Sequence, residues 1–131
     1  MTRKLLLSIN PRHAAKILKG QKSFEFRKKR CREKVDSIII YSTAPEKRVV
    51  GEVTIEDIIV GDIHEVWRLA RRGAGISHRF YLDYYQGSKV AVAYKLGAIK
   101  AYAKPRPLSA FGISRPPRSF VYWPQAIAPN G

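Results

Sequence analysis

Gly20-Gln21-Lys22-Ser23-Phe24-Glu25-Phe26-Arg27 is the stretch on which the reading of this chain turns. From Lys22 onward the residues alternate. Phe24 and Phe26 point one way and Ser23, Glu25 and Arg27 the other, the two-residue period of a strand. Gly20 suits the end of a preceding helix. Asn10-Pro11 opens that helix with a good N-cap and a residue favoured in the first turn. Ala14, Ala15, Ile17 and Leu18 give it an apolar stripe. A lysine, a carboxylate and a guanidinium therefore fall within six residues at a helix-to-strand junction. Such a set can line one cleft, with the carboxylate holding the cations. The cations bind phosphate, or the lysine acts on a carbonyl if desolvation lowers its pKa. The plainer alternative is a surface salt bridge, which contributes little.

Outward from this stretch, Leu5 to Ile9 reads as a short strand, and Arg27 to Lys34 as a basic loop. Val35 to Ser42 is a β-branched strand whose Ile38-Ile39-Ile40 run suits burial on both faces. Ala44-Pro45-Glu46-Lys47 reads as a turn, and Arg48 to Val60 as a strand bent near Gly51. Asp62 caps a helix over 63–72, with Val66, Trp67 and Ala70 inward; Ser77 caps another through Tyr85. Lys89 to Tyr102 is strand-rich, residues 104–118 hold four prolines outside regular elements, and Ser119 to Trp123 is a final strand. The expectation is one α+β domain over residues 1–123, built on a small curved sheet or barrel, with 124–131 as a loose tail.

The 131 residues include 25 Lys+Arg and 10 Asp+Glu, a net charge of +15. Residues 1–34 carry 12 basic and 2 acidic residues, and residues 84–131 carry 7 basic and none acidic. Cationic ends around a nearly balanced middle point to a polyanion partner. One cysteine excludes an intrachain disulfide and a Cys-based zinc site, and His13, His64 and His78 lie on separate elements, so no metal site and no cofactor is expected. No apolar run approaches the roughly 20 residues of a membrane span. The apolar part of the opening is too short for a signal peptide, and the reading is a soluble, cytoplasmic protein.

Gly-x-Lys-x-x-Glu-x-Arg after Ser-Ile-Asn-Pro and a short helix resembles the signature of the ASCH domain family, relatives of the PUA RNA-binding domains. The likeness continues through Ile40-Tyr41-Ser42-Thr43-Ala44-Pro45, Val50-Gly51-Glu52-Val53, Gly75-Ile76-Ser77 and Pro116-Pro117-Arg118-Ser119-Phe120-Val121-Tyr122. It implies a PUA-like small β-barrel flanked by helices, with a cleft beside the lysine that takes RNA or a nucleobase. Lys22, Glu25 and Arg27 would line that cleft, with Tyr41, Ser42 and Ser119 as further candidates. Tyr41 would stack on a base, and Lys22, Tyr41 and Ser119 are the candidate catalytic groups. His13 on the first helix and Lys28, Lys29, Arg30 and Arg32 in the basic loop would contact phosphates. One branch of the family deacetylates N4-acetylcytidine. Glu25 stands where that branch has a threonine, and Ala74 where it has a glutamate. Another branch is described as ribonucleolytic, chemistry that needs a base near the 2′-OH and a cation for the phosphate.

The leading expectation is an RNA- or nucleotide-binding protein, with DNA as a second polyanion. The alternatives are a metal-independent RNA or modified-nucleoside hydrolase using Lys22, and a transcriptional coregulator-type module that binds a protein partner.

Overall fold

The computed structural model describes residues 3–124. Six strands form one sheet: β1 (Arg3–Ile9), β2 (Phe24–Arg27), β3 (Val35–Ser42), β4 (Arg48–Asp62), β5 (Val90–Arg106) and β6 (Phe120–Trp123). Their order is β2-β5-β4-β3-β1-β6. β1 runs parallel to β3, and every other pairing is antiparallel. Three helices join the strands: α1 (Pro11–Leu18), α2 (Ile63–Ala70) and α3 (His78–Tyr84).

The start signals act as expected. The Asn10 side chain accepts from the Arg12 N–H, Asp62 from His64 and Glu65, and Ser77 from Phe80. Each supplies a partner that the first turn of a helix otherwise lacks. The expected helix over 63–72 stops at Ala70 and tightens into a 3-10 turn over Arg71–Gly73.

β1 and β3 are buried on both faces, and alternation sorts their side chains into two cores. Leu5, Leu7, Ile9, Ile38 and Ile40 pack with Ala14 and Ile17 of α1 and with Tyr94. Leu6, Ile39 and Tyr41 pack on the opposite side with Val49, Leu108 and Ile113. A third cluster joins Phe24 and Phe26 to Val66, Ala70, Tyr81 and Tyr85 under α2 and α3.

Three expectations need correction. The strand ladder has two edges, β2 and β6, so it is an open curved sheet and not a closed barrel. A side chain spans the gap instead: Arg27 of β2 donates through Nη2 to the Ser8 carbonyl of β1 at 2.8 Å. Second, the Glu25–Arg27 pair is not the surface salt bridge of the plainer alternative: Lys22 and Glu25 are both buried, and the α2–α3 connection folds over residues 22 and 23. Third, Pro105 lies inside β5, in a stretch where the β4–β5 register shifts between the Gly51↔Ala101 and Val49↔Arg106 pairs. An irregular ladder spares proline the N–H that a regular one would require. Of the expected tail, residues 125–131 lie outside the described residues.

Candidate functional site

Lys22 comes two residues after the left-handed Gly20 that ends α1's turn and two residues before β2 begins at Phe24, where the sequence reading has it open the strand. The Ser23 N–H donates to the Gly73 carbonyl at 2.7 Å, and Lys22 Nζ donates to the Ala74 carbonyl at 2.8 Å. Lys16 Nζ reaches the next carbonyl, Gly75, at 3.0 Å. The α2–α3 connection is thus stitched to β2 by its own carbonyls. Gly75 makes the close approach feasible. It has φ +70°, and a Cβ there would stand 2.6 Å from Lys22 Cβ.

Lys22 is 3% exposed, and its Nζ lies 4.9 Å from the centroid of the Phe26 ring. Burial is the main reason its pKa falls to about 8, and the Lys16 and Arg27 charges add to the fall while Glu25 opposes it. Glu25 is 6% exposed and accepts from Arg27 Nε at 3.0 Å. Burial and the Lys22 charge also lower the pKa of His13.

Lys22, Glu25, Phe26, Arg27 and His13 line one cavity of about 190 Å³, with Ser8, Ile9, Asn10, Ile76, Phe80 and Tyr84 completing its wall. That is smaller than the ~300–1,000 Å³ usual for drug-sized ligands, so it admits one ring or phosphoryl group. The charges felt at Lys22 and His13 are those of Lys16, Arg27 and Arg12 against a single carboxylate, Glu25, an excess that favours an anion. Near neutral pH Lys22 is available mainly as a cation and partly as an amine, so it can hold an anionic oxygen or accept a proton.

The other sequence candidates are placed unequally. Lys28 is exposed, and its Nζ lies 5.1 Å from the Tyr84 ring centroid on the cavity wall. Lys29, Arg30 and Arg32 are exposed along the same loop. That loop is pinned: Cys31 is buried with its N–H on the Tyr94 hydroxyl, and the Tyr122 hydroxyl accepts from Arg32 and Glu33 N–H. Ser119 is exposed and outside the wall, but its carbonyl accepts from Ser8 N–H at 3.3 Å, and Ser8 Oγ donates to Pro117 at 2.6 Å. Tyr41 lies apart, 3% exposed, beside a separate hollow with Thr43, Lys47 and Leu108. Ser42 is fully buried, and its Oγ has no partner among the described residues.

Phe80 and Tyr84 were not singled out by the sequence reading. They sit four residues apart on α3, on one helical face, and that spacing was the available signal. Among the described residues no group of three or more His, Cys, Asp or Glu side chains is placed to hold a metal. No helix among them is long and apolar enough to cross a membrane.

The ASCH domain matches residues 7–103. The chain belongs to the ASCH domain family. Among solved structures, ASCH from Zymomonas mobilis is similar at a TM-score of 0.83 and 30% identity, covering 91% of this chain and 86% of that one. A tyrosine-to-phenylalanine mutant of the Zymomonas protein is similar at a TM-score of 0.82, covering 88% of that chain. A Zymomonas mobilis protein named ASCH domain-containing ribonuclease is 35% identical over 92 residues, 70% of this chain and 62% of its own length. Stretches of two Ureaplasma parvum proteins, named ATP synthase subunit alpha and large ribosomal subunit protein uL22, are 30% identical over 90% and 92% of this chain. This ASCH chain spans only 15% and 39% of those two proteins.

Proposed function

We propose that this ASCH domain binds single-stranded RNA, with one nucleotide entering the Lys22 cavity and the basic loop following the adjoining phosphates. The observation that carries this reading is the convergence of Lys22 and Arg27 on a small cavity whose wall includes Phe80 and Tyr84. Cations for phosphate beside aromatic rings for a base are the two components of single-strand recognition. The relative named a ribonuclease supports an RNA substrate class. The test is the affinity for short single-stranded RNA across a salt series, for the wild type and for Lys22→Met. Salt-sensitive binding weakened by the substitution is expected. Binding that ignores salt or the substitution would exclude the reading. Duplex and single-stranded DNA in the same series separate RNA from other polyanions.

A second reading, cleavage of that RNA, is favoured by the same relative's name and by Lys22 having a pKa of about 8. In it, the Lys22 amine takes the 2′-OH proton, the 2′ oxygen bonds to phosphorus, and the bond to the 5′ oxygen breaks with that oxygen protonated by solvent. The products are a 2′,3′-cyclic phosphate and a 5′-hydroxyl. Product ends and a cleavage rate that climbs as pH rises through 8 would support it; intact RNA with wild-type protein would end it. N4-acetylcytidine deacetylation has less support, because Ala74 stands where that branch has a glutamate and meets Lys22 through its carbonyl.

A further inference from the structure

The Lys22 cavity opens toward a second and wider hollow of about 510 Å³, with Asn10, His13 and Phe80 common to both. Pro11, Arg12, Ala44 and Pro45 complete the outer hollow. Phe80 is 48% exposed, one of the few large apolar side chains on the surface. Isolated exposed apolar residues are ordinary, but this ring stands at the boundary of two hollows. It meets the His13 ring edge-on, with centroids 5.3 Å apart. That contact braces the ring and leaves the remainder open to solvent. Arg12 is exposed at the start of α1, where its guanidinium is free of any ion pair among the described residues.

We infer that the outer hollow is a second nucleotide subsite, in which Phe80 stacks on the base adjoining the nucleotide in the Lys22 cavity and Arg12 pairs with a phosphate. The inference rests on the proposed RNA reading and adds to it a minimum ligand, a dinucleotide, and a residue responsible for the second base. Stacking tolerates any base, because each presents a π-face, so the subsite contributes affinity more than sequence choice. His13 supplies the brace and little charge, because its lowered pKa keeps the ring neutral near pH 7.

The experiment compares adenosine 5′-monophosphate with a 2′-O-methylated ApA dinucleotide, which lacks the free 2′-OH that cleavage requires, by calorimetric titration at fixed salt. The wild type is expected to prefer the dinucleotide by about 5- to 100-fold. The preference should fall toward unity in Phe80→Ala, persist in Phe80→Trp, and shrink in Arg12→Gln. Phe80 is exposed on α3, and a melting curve for each variant verifies that the fold is retained. If the monophosphate binds but the dinucleotide gains nothing, or if Phe80→Ala keeps the full preference, the second subsite is overturned while the cavity reading stands. If neither ligand binds the wild type, both fall together.

Discussion

Between pH 8 and 10.5 the unfolded chain binds a proton at Lys22 that the folded chain has released, because burial lowers the pKa of this lysine to about 8. The folded state therefore carries a penalty of roughly 3 kcal/mol below pH 8, which fades as pH rises toward 10.5. Buried tyrosines act in the opposite direction: Tyr81, raised to about 12, destabilises the fold above pH 10 as the unfolded phenol ionises first. The difference in stability between wild type and Lys22→Met cancels the tyrosine contribution. It should shift toward the wild type by up to about 3 kcal/mol from pH 8 to 10.5, and urea titrations along that series would measure it. Ligand binding has its own sign. An anion in the cavity favours the ammonium form, so nucleotide affinity should fall as pH climbs from 7.5 to 9.5, with proton uptake visible as a buffer-dependent heat. An affinity flat in pH would separate Lys22 from the anion. Gly75 gives a structural test. Gly75→Ala forces a side chain into a left-handed backbone and onto Lys22, whereas Gly87→Ala at φ +82° meets nothing within 4 Å. The first variant should melt several degrees below the second, since the backbone cost of about 1–2 kcal/mol is common to both. The Lys22–Glu25–Arg27 grouping was legible because strand alternation and spacing are local properties. Its burial was not, because that depends on residues 73–75, some fifty positions away, folding over it.

Arg27 links elements that the strand ladder keeps apart. β2 and β1 are separated by three strands in the hydrogen-bonded order, yet Arg27 bonds to both Glu25 and the Ser8 carbonyl. Arg27→Met leaves a buried carboxylate without its nearest cation, a loss of about 3–5 kcal/mol. Adding Glu25→Gln should restore part of that loss, and a double-mutant cycle by urea denaturation measures the coupling. A coupling below about 0.5 kcal/mol would mean that the guanidinium only decorates the gap. Element boundaries were mostly readable from Asn10, Asp62 and Ser77, whose side chains do the capping locally. The placement of Tyr41 was not readable. In a strand buried on both faces, one step of parity decides which core a residue joins, and Tyr41 falls with Leu6 and Ile39, away from Lys22.

For the whole molecule the charge of +15 sets the salt response. Each phosphate neutralised on a single strand contributes about −0.7 to the slope of log affinity against log salt. Replacing Lys28, Lys29, Arg30 and Arg32 with alanine should flatten the slope by up to about 3 if all four meet phosphates. An unchanged slope would show that the RNA passes elsewhere. The +15 was legible from composition alone, but not the way the loop is held, since Cys31 and Tyr122 contribute through a core position and a distant hydroxyl.

That distant hydroxyl gives the molecule an order of assembly. Tyr122 fastens the backbone of Arg32 and Glu33, and residues 117–119 fasten Ser8 beside the cavity. During synthesis these partners leave the ribosome about ninety to one hundred and ten residues after the segments they secure. The basic loop is therefore translated early and fixed late. Until β6 pairs with β1, a nascent chain carries the positive charge without the fixed loop geometry, and only the completed fold has both. Amide exchange at Arg32 and Glu33 in a chain truncated after Ile113 would register the difference, and protection equal to that of the full chain would remove the point.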